Sequence, residues 1–355
     1  MLLYIHIPFC DSKCFYCAFN SYTDKTHLKK EYMKALKLQL KTELNDYVKK
    51  HNKKIETVFL GGGTPSCVKH EEYKEVFEIF KPYLIPNAEI TTEANPNSAS
   101  YKWLENMYNY GVNRVSFGVQ SFDNTKLKLL GRSHNSNNAI KAIQNANSIG
   151  FNGINCDIIY GVKGDTLESM KKDFKQAFDL PITHLSAYSL TIEEGTKFFD
   201  RASVKIDDEE LSYEIFDFIS DHNFTQYEIS NFAKNKKYES KHNYGYWEHK
   251  EYLGIGAGAV GYVNSQRYYP IKSIEEYIKN PFNIEYENLN EEDIKTEKIL
   301  LGFRCSNGVE LSLFNEKELE KINFLLENDK LKKENNRIYN KNFLLSDELA
   351  LYILE

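Results

Sequence analysis

The sequence predicts an α/β protein, built as a partial (β/α)6 barrel followed by an irregular α+β region and a small C-terminal domain. Three observations support this fold class. Short apolar strands alternate with amphipathic helices through the first half of the chain, which favours a parallel sheet with right-handed crossovers. Three cysteines follow the first predicted strand, and glycine-rich or polar segments follow the later ones. In a β/α barrel, loops at the carboxyl ends of the strands carry the chemistry.

The strands and helices follow from hydrophobic patterning. The predicted strands are Leu2–Ile7, Thr57–Leu60, Glu89–Glu93, Arg114–Val119, Ile154–Tyr160 and His184–Leu190. A long helix is predicted because apolar residues recur on one of its faces, namely Leu28, Tyr32, Leu36, Leu40, Leu44 and Val48. Further helices are predicted at about 71–83, 100–110, 137–149 and 166–179. Two more units would be needed for a full barrel, and none is visible after residue 190.

The remaining sequence suggests two further regions. We expect a barrel core over residues 1–195, and an α+β extension over 196–285 that is rich in tyrosine, asparagine and glycine. The segment 286–355 is predicted to be a separate helical domain with a terminal hairpin at Lys330–Leu345. Runs of proline or serine do not mark the boundaries.

Composition narrows the class of protein. The chain has 355 residues, 41% of them hydrophobic, which is enough for a sizeable core. A formal net charge of −6 argues against a partner that is a nucleic acid or an anionic membrane. No secretion signal or membrane span is expected. The six cysteines therefore indicate reduced thiols in a cytoplasmic protein rather than a disulfide framework.

The most informative motif is the cysteine triplet Cys10, Cys14 and Cys17, with C-x3-C-x2-C spacing. Thiolates bind zinc or iron–sulfur clusters, and four ligands are usual in both. No fourth cysteine lies nearby, so a 4Fe–4S cluster held by three would leave one iron open to a small molecule. The alternative is a zinc site completed by His6 or by a distant cysteine, which would be Cys67, Cys156 or Cys305.

Polar features follow the next strands and are expected on the same rim as the cysteines. Gly61–Ser66 follows the second predicted strand, Glu93 ends the third, and Gln120 ends the fourth. Asp157 lies within the fifth strand. Each has a structural alternative, such as a tight turn, an ion pair or a strand cap. Their joint placement on consecutive strand ends favours a binding site.

These motifs together resemble the radical S-adenosylmethionine (radical SAM) superfamily. The resemblance rests on Ile7-Pro8-Phe9-Cys10, on the cysteine spacing, and on the Gly-Gly-Gly-Thr-Pro run of Gly61–Pro65. Within it, the chain is similar to the oxygen-independent coproporphyrinogen III oxidase group, which contains HemN oxidases and HemW haem chaperones. In that superfamily the open iron binds S-adenosylmethionine, and the reduced cluster cleaves it to a 5′-deoxyadenosyl radical.

The resemblance implies roles for individual residues. Cys10, Cys14 and Cys17 match the cluster ligands. The residues that match contacts to S-adenosylmethionine are Tyr4, Gly62, Gly63, Thr64, Glu93, Gln120, Arg132 and Asp157. Among them, Glu93 would face the positive end of the methionine moiety, and Arg132 would suit its carboxylate because guanidinium presents a fork of donors.

Three features favour the HemW branch over the oxidases. Phe19 stands where the oxidase branch has a further cysteine. Only nine residues precede Cys10, whereas the oxidases carry a long segment there. His242–Trp247 fits the H-N-x-x-Y-W signature of HemW proteins. The resemblance makes His242, Tyr246 and Trp247 candidates for haem contact, and haem iron accepts histidine or tyrosine ligands. Where the family often has a second histidine, this chain has Val260.

The resulting prediction is a cytoplasmic HemW-type haem chaperone. It would bind a 4Fe–4S cluster, S-adenosylmethionine and haem, and pass haem to acceptor haem proteins such as respiratory enzymes at the membrane. If it turns over the cofactor, an electron donor such as flavodoxin or ferredoxin is implied. The C-terminal domain resembles the winged-helix-like appendage of this group. Two alternatives stay open: an oxygen-independent coproporphyrinogen III oxidase, and a zinc-stabilised, non-catalytic interaction protein.

Overall fold

A computed structural model describes residues 1–206 and 208–355, and a parallel sheet lies at its centre. Six neighbouring strands run parallel in chain order: β1 (Leu2–Ile7), β2 (Ile55–Gly62), β3 (Leu84–Ala94), β4 (Arg114–Gln120), β5 (Gly153–Tyr160) and β6 (His184–Ser189). Their side chains are mostly buried because helices cover the outer face of the sheet. The prediction of six strand–helix units is confirmed.

The crossover helices cover that sheet. They are α1 (Lys29–His51), α2 (Lys74–Phe80), α3 (Tyr101–Tyr110), α4 (Asn124–Leu129), α5 (Ser136–Ile149) and α6 (Leu167–Phe178). In α1 the residues Tyr32, Leu36, Leu40 and Leu44 are all fully buried, as their spacing of four predicts. The stretch predicted as one helix at 71–83 is instead a short α2 between two turns of 3-10 helix. Pro82 fits this break because it cannot donate to a continuing helix.

The middle of the chain adds strands that the sequence did not predict. These are β7 (Thr225–Gln226), β8 (Asn231–Ala233), β9 (Tyr252–Ile255), β10 (Gly261–Val263), β11 (Gln266–Pro270) and β12 (Ile284–Asn288). On the β1 side of the sheet, β9 pairs parallel with β1, and β10, β11 and β12 then follow in order, each antiparallel to the strand before it. On the β6 side, β8 pairs antiparallel with β6, and β7 pairs antiparallel with β8. Three helices accompany them: α7 (Glu209–Ser220), α8 (Lys241–Trp247) and α9 (Ile274–Lys279).

The last part of the chain forms a small winged-helix-like unit. It consists of α10 (Glu291–Phe303), β13 (Val309–Glu310), α11 (Glu316–Glu327), β14 (Leu331–Glu334), β15 (Arg337–Asn340) and α12 (Ser346–Leu354). The β14–β15 pair is the predicted hairpin, and β15 lies between β13 and β14. Ile299, Phe303 and Ile338 belong to a buried apolar cluster separate from that of the barrel.

A buried hydrogen-bond network ties β9 and the loop after it to β1 and α1. The Tyr32 hydroxyl donates to the carbonyl of His6 at 2.8 Å and accepts from the N–H of Ala257 at 3.1 Å. About two turns further along α1, the Gln39 carbonyl oxygen accepts from the N–H of Gly256 at 2.9 Å and from the Tyr277 hydroxyl at 2.5 Å. These contacts fix the edge of the barrel from which the cysteine segment begins.

Within the residues described, every helix is either too short or too polar to cross a lipid bilayer.

We expect Tyr32→Phe to lower the free energy of unfolding by about 1–3 kcal/mol, because it leaves a buried carbonyl and a buried N–H without their partner. Urea unfolding of the cofactor-free protein measures this. Tyr101→Phe is the matched control, since Tyr101 is exposed. Equal stability of the two variants would show that the Tyr32 network is energetically neutral.

Candidate functional site

The carboxyl ends of the parallel strands border a cavity that contains the three cysteines. Besides Cys10, Cys14 and Cys17, it is lined by seven of the residues that the sequence assigned to the cofactor: Gly62, Gly63, Thr64, Glu93, Gln120, Arg132 and Asp157. We call this the cysteine cavity. These residues come from the ends of four strands and the loops after them, and the sheet brings them together because parallel strands end on one rim.

The cysteine segment is held by backbone contacts on both of its sides. Cys10 N–H donates to the carbonyl of Tyr22 at 3.0 Å, and Phe15 N–H donates to the carbonyl of Leu130 at 3.1 Å. All three cysteines are free thiols. Burial raises the pKa of the Cys10 and Cys17 thiols. Metal binding would therefore release protons here, since thiolate is the form that ligates.

Side chains from the loops after β2 and β4 contact the thiols directly. Thr64 Oγ1 lies 3.3 Å from Cys10 Sγ, and Arg132 Nη1 donates to Cys14 Sγ at 3.1 Å. Arg132 also donates through Nη2 to the carbonyl of Gly118 at 2.5 Å. The Nε atom of Arg132 and the Oε1 atom of Gln120 are buried and have no hydrogen-bond partner among the residues that the structure describes. Unpaired buried polar atoms are costly, and both line the cavity where a polar ligand could satisfy them.

The glycine run after β2 lies against the cysteine segment. Gly63 N–H donates to the carbonyl of Ile7 at 2.9 Å. A Cβ atom at Gly63 would lie 2.7 Å from the carbonyl oxygen of Phe9. The main chain of Gly63 therefore packs directly against the main chain of Phe9, and no side chain fits between them. Gly62 has φ of +110°, which favours glycine. This turn leaves room on the cavity side for a ligand to approach the main chain.

The cavity is lined by two partly buried carboxyl groups, those of Glu93 and Asp157. Glu93 accepts from the N–H of Gly62 at 3.0 Å, and burial together with the charge of Asp157 raises the pKa of Glu93 to about 8. Asp157 accepts from Asn155 at 2.6 Å, and burial raises its pKa as well. A bound cation would offset the cost of ionising either group. The positive amino group of an amino-acid-like ligand has the required charge.

Tyr4 is the one predicted cofactor residue that does not line the cysteine cavity. It lines a second cavity of about 590 Å³ beside it, with Tyr246, Tyr252 and Tyr262. We call this the aromatic cavity. It lies between the β1–β9–β10 edge of the sheet and α10, and Phe19 lines both cavities. The Phe19 ring is 70% exposed, so it lies at the surface beside both cavities and does not pack into the core.

The H-N-x-x-Y-W segment forms α8, at the amino end of the strands. Backbone N–H groups of Lys241 and His242 donate to Glu89 at 3.1 and 3.0 Å. The His242 ring is buried, with Nδ1 2.7 Å from Thr57 Oγ1 and Nε2 3.0 Å from Tyr246 Oη. Burial lowers the pKa of His242 to about 3, so its imidazole is neutral.

This placement separates the three haem candidates. Both ring nitrogens of His242 are engaged, so direct coordination of iron by His242 would require one of these contacts to break. Tyr246 lines the aromatic cavity. Trp247 lines a separate surface cavity with Lys298 and Arg337. His242 of α8 contacts Thr57 near the amino end of β2, and Gly62 is the last residue of that strand. The step of five residues between Thr57 and Gly62 spans roughly 16 Å at 3.3 Å per strand residue, so α8 lies that far from the cysteine rim.

Several lining residues were not predicted. Asn95 and Ser116 line the cysteine cavity, and Arg267 and Glu297 line the aromatic one. Asn95 lies two residues after the predicted strand Glu89–Glu93, a signal that could have found it, whereas Ser116 lies inside the predicted strand Arg114–Val119. Arg267 and Glu297 lie in β11 and α10, far from any motif, so only the fold brings them to the site.

Comparisons with known proteins agree with this architecture. The family described as "Radical SAM superfamily" matches residues 4–177. "Heme chaperone HemW" of Bacillus subtilis (strain 168) is 34% identical, over 88% of this chain and 86% of that one. The protein of the same name from Escherichia coli (strain K12) is 38% identical, over 74% of this chain and 70% of that one. A third, from Buchnera aphidicola subsp. Schizaphis graminum, is 35% identical, over 96% and 92%.

A solved structure shows the same fold over nearly the whole length. Coproporphyrinogen III oxidase (HemN) from Escherichia coli superposes with a TM-score of 0.81, covering 99% of this chain and 89% of that one at 19% identity. The identity to the HemW chaperones is higher and extends through most of both chains, which confirms the family predicted from the motifs. The chain belongs to the HemW family of the radical S-adenosylmethionine superfamily.

Proposed function

We propose that this protein is a haem chaperone that binds a 4Fe–4S cluster, S-adenosylmethionine and haem, and transfers haem to acceptor haem proteins. The observation that carries the proposal is the extent of the similarity. Proteins named heme chaperone match this chain over as much as 96% of its length, so they share its whole architecture and not the cofactor-binding core alone.

The residues of the cysteine cavity suit the cluster and its cofactor. Three free thiols line one cavity, beside polar atoms that have no partner in the described part of the chain and a glycine turn that excludes side chains. When bound, such a cluster supplies an open iron site for the amino and carboxylate groups of S-adenosylmethionine. Cys10, Cys14 and Cys17 would hold the cluster, Glu93 the amino group, and Arg132 and Gln120 the neighbouring polar atoms. Asp157, Gly62, Gly63 and Thr64 would line the rest of the cofactor site.

The proposed partners follow from the same assignment. Haem is the cargo, and the acceptors are haem proteins, with respiratory enzymes at the membrane among them. The protein would work in the cytoplasm. Where the cofactor is turned over, flavodoxin or ferredoxin would deliver the electron. A net charge of −6 argues against nucleic acid as a partner of the C-terminal unit.

A haem-transfer assay tests the proposal. Anaerobically reconstituted protein, loaded with haem, is mixed with the haem-free form of a b-type cytochrome, and we expect the cytochrome spectrum to appear. A parallel reaction supplies coproporphyrinogen III, S-adenosylmethionine and reductant. Formation of protoporphyrinogen IX without haem transfer would replace the chaperone assignment with the oxidase.

We expect Cys14→Ser to lose the visible absorption of the cluster and most of its iron and sulfide, because one of three ligands is removed. Cys67→Ser is the control, since Cys67 lies outside the cysteine cavity and its thiol donates to the carbonyl of Phe9 at 3.2 Å. Metal analysis of anaerobically purified protein checks both variants. Stoichiometric zinc without iron or sulfide would support the zinc-stabilised interaction protein instead.

We expect Glu93→Gln to change how stability depends on pH. The pKa of Glu93 is raised to about 8 in the folded protein, so the folded state keeps a proton that the unfolded chain releases. This group's contribution to stability is therefore present below the ordinary glutamate pKa and is lost as pH rises toward about 8. Glutamine does not ionise, so the Glu93→Gln variant does not lose this stability as pH rises.

Urea unfolding of cofactor-free wild-type and Glu93→Gln protein at about pH 5 and about pH 8 measures the difference. The variant should gain stability relative to wild type as pH rises, whereas Glu105→Gln, at an exposed position, should not. Calorimetry should also show weaker binding of S-adenosylmethionine to Glu93→Gln. Parallel pH profiles for all three proteins would contradict a protonated Glu93 in the folded protein.

A further inference from the structure

We propose that a cavity at the amino end of the barrel strands, opposite the cysteine cavity, binds a phosphate group through Arg114. We call it the arginine cavity. The proposal goes beyond the proposed function, because the cluster, S-adenosylmethionine and haem take no part in it. It rests on a buried guanidinium group that has no partner in the described part of the chain.

The arginine cavity lies between the amino-terminal parts of β3, β4 and β5 and the segment that precedes α8. Its volume is about 370 Å³, which is within the range of ligand pockets. Arg114 is the first residue of β4 and Gln120 is the last. The six steps between them span roughly 20 Å at 3.3 Å per strand residue, so this cavity is remote from the cysteine rim.

The side chain of Arg114 is held at the start of β4 by the strand beside it. Arg114 pairs with Gly153, the first residue of β5. A Cβ atom at Gly153 would lie 2.9 Å from Cγ of Arg114, so a larger residue there would displace the arginine. Arg114 is only 5% exposed, and it lines the cavity. The glycine thus makes room for a deeply buried cation.

The guanidinium group of Arg114 has no hydrogen bond or ion pair with the residues that the structure describes, and its Nε atom is fully buried. Other deeply buried charges of this chain are paired. Lys126 lies 2.9 Å from Asp165, and Glu318 lies 2.7 Å from Lys295. A buried charge without a partner is costly, so Arg114 is suited to receive an anion from outside the chain.

The carboxylates around Arg114 do not neutralise it. Glu89 accepts from the first two backbone N–H groups of α8 at 3.1 and 3.0 Å and makes no ion pair with Arg114 among the described residues. In the barrel interior, burial and the charge of Asp157 raise the pKa of Glu93 to about 8 despite the positive charge of Arg114. Arg114 is therefore not the partner of either glutamate.

The charges of the lining favour a phosphate group. Three positive side chains line the cavity, those of Arg114, Lys237 and Lys241. Two negative ones also line it, those of Glu89 and Glu239, which leaves a formal surplus of one positive charge. A guanidinium group presents a fork of donors to two oxygens, and lysine acts as a point charge. A phosphate group has further oxygens for the exposed lysines, whereas a carboxylate has only the two.

Calorimetric titration of the full-length protein with inorganic phosphate, at constant ionic strength, tests the site. Wild type should show saturable binding, and Arg114→Gln should weaken it by about 10-fold or more, because a hydrogen-bonded charge is lost. Lys236→Gln is the matched control, since Lys236 is exposed beside Lys237 and does not line the cavity. It should bind phosphate as wild type does.

Parallel titrations with glycerol 3-phosphate and with acetate define the ligand. Tighter binding of glycerol 3-phosphate than of inorganic phosphate would identify the ligand as a phosphate monoester. Equal or weaker binding would indicate free phosphate, and either result supports a phosphate site. Acetate that binds as tightly as phosphate would overturn the choice of phosphate.

A change in the opposite direction keeps the test decisive even if Arg114→Gln does not fold. Glu239→Gln removes a negative charge from the cavity and should strengthen phosphate binding by about 2- to 5-fold. A wild-type protein without saturable heat, or equal affinities in wild type, Arg114→Gln and Glu239→Gln, would overturn the site. The titration needs neither cluster nor haem, so such a failure would leave the proposed function unchanged.

Discussion

The parallel pairing of β1 with β9 is the contact on which the cysteine cavity and the aromatic cavity both depend. β1 delivers the cysteine segment at its carboxyl end, and its register with β9 sets Leu2 opposite Tyr252 and Ile5 opposite Ile255. Because β9 adjoins the first strand, residues 250 positions apart in the chain become neighbours. The Tyr32 and Gln39 hydrogen bonds hold this pairing from the α1 side. The aromatic cavity thus adjoins the cysteine cavity as a consequence of one strand pairing.

The sequence predicted the positions of the barrel strands because mostly buried strands of six or more residues alternate with helices along this part of the chain. It missed β9 to β12 because these strands are short and contain glycine and tyrosine. Gly254 illustrates the difficulty, since a Cβ atom there would lie 1.9 Å from the carbonyl oxygen of Val260. Glycine is required at this position because two main-chain segments come close together there. From the sequence alone, however, a glycine predicts the end of a strand.

The cysteine cavity was predictable for the same reason as the barrel. Once six parallel strands are recognised, Glu93, Gln120 and Asp157 are expected at one rim, and the structure brings them together with the cysteines. Tyr4 illustrates what spacing cannot decide, because it lies on β1 yet lines the aromatic cavity. The partners of His242 were also beyond sequence reasoning. Thr57 is 185 residues away, and only the packing of α8 against the amino end of β2 brings the two side chains together.

The two ends of α10, which forms a wall of the aromatic cavity, are attached by different kinds of contact. Glu297 joins α10 to the sheet through Arg267 and His249, and its side chain is 24% exposed. At its far end, α10 is fixed by main-chain bonds from Ile229 to Arg304 and from Ser306 to Tyr227. Dissolved ions screen partly exposed charges but leave aromatic packing almost unchanged. Rising ionic strength should therefore weaken the attachment of α10 at its Glu297 end and leave the main-chain bonds at its other end unchanged.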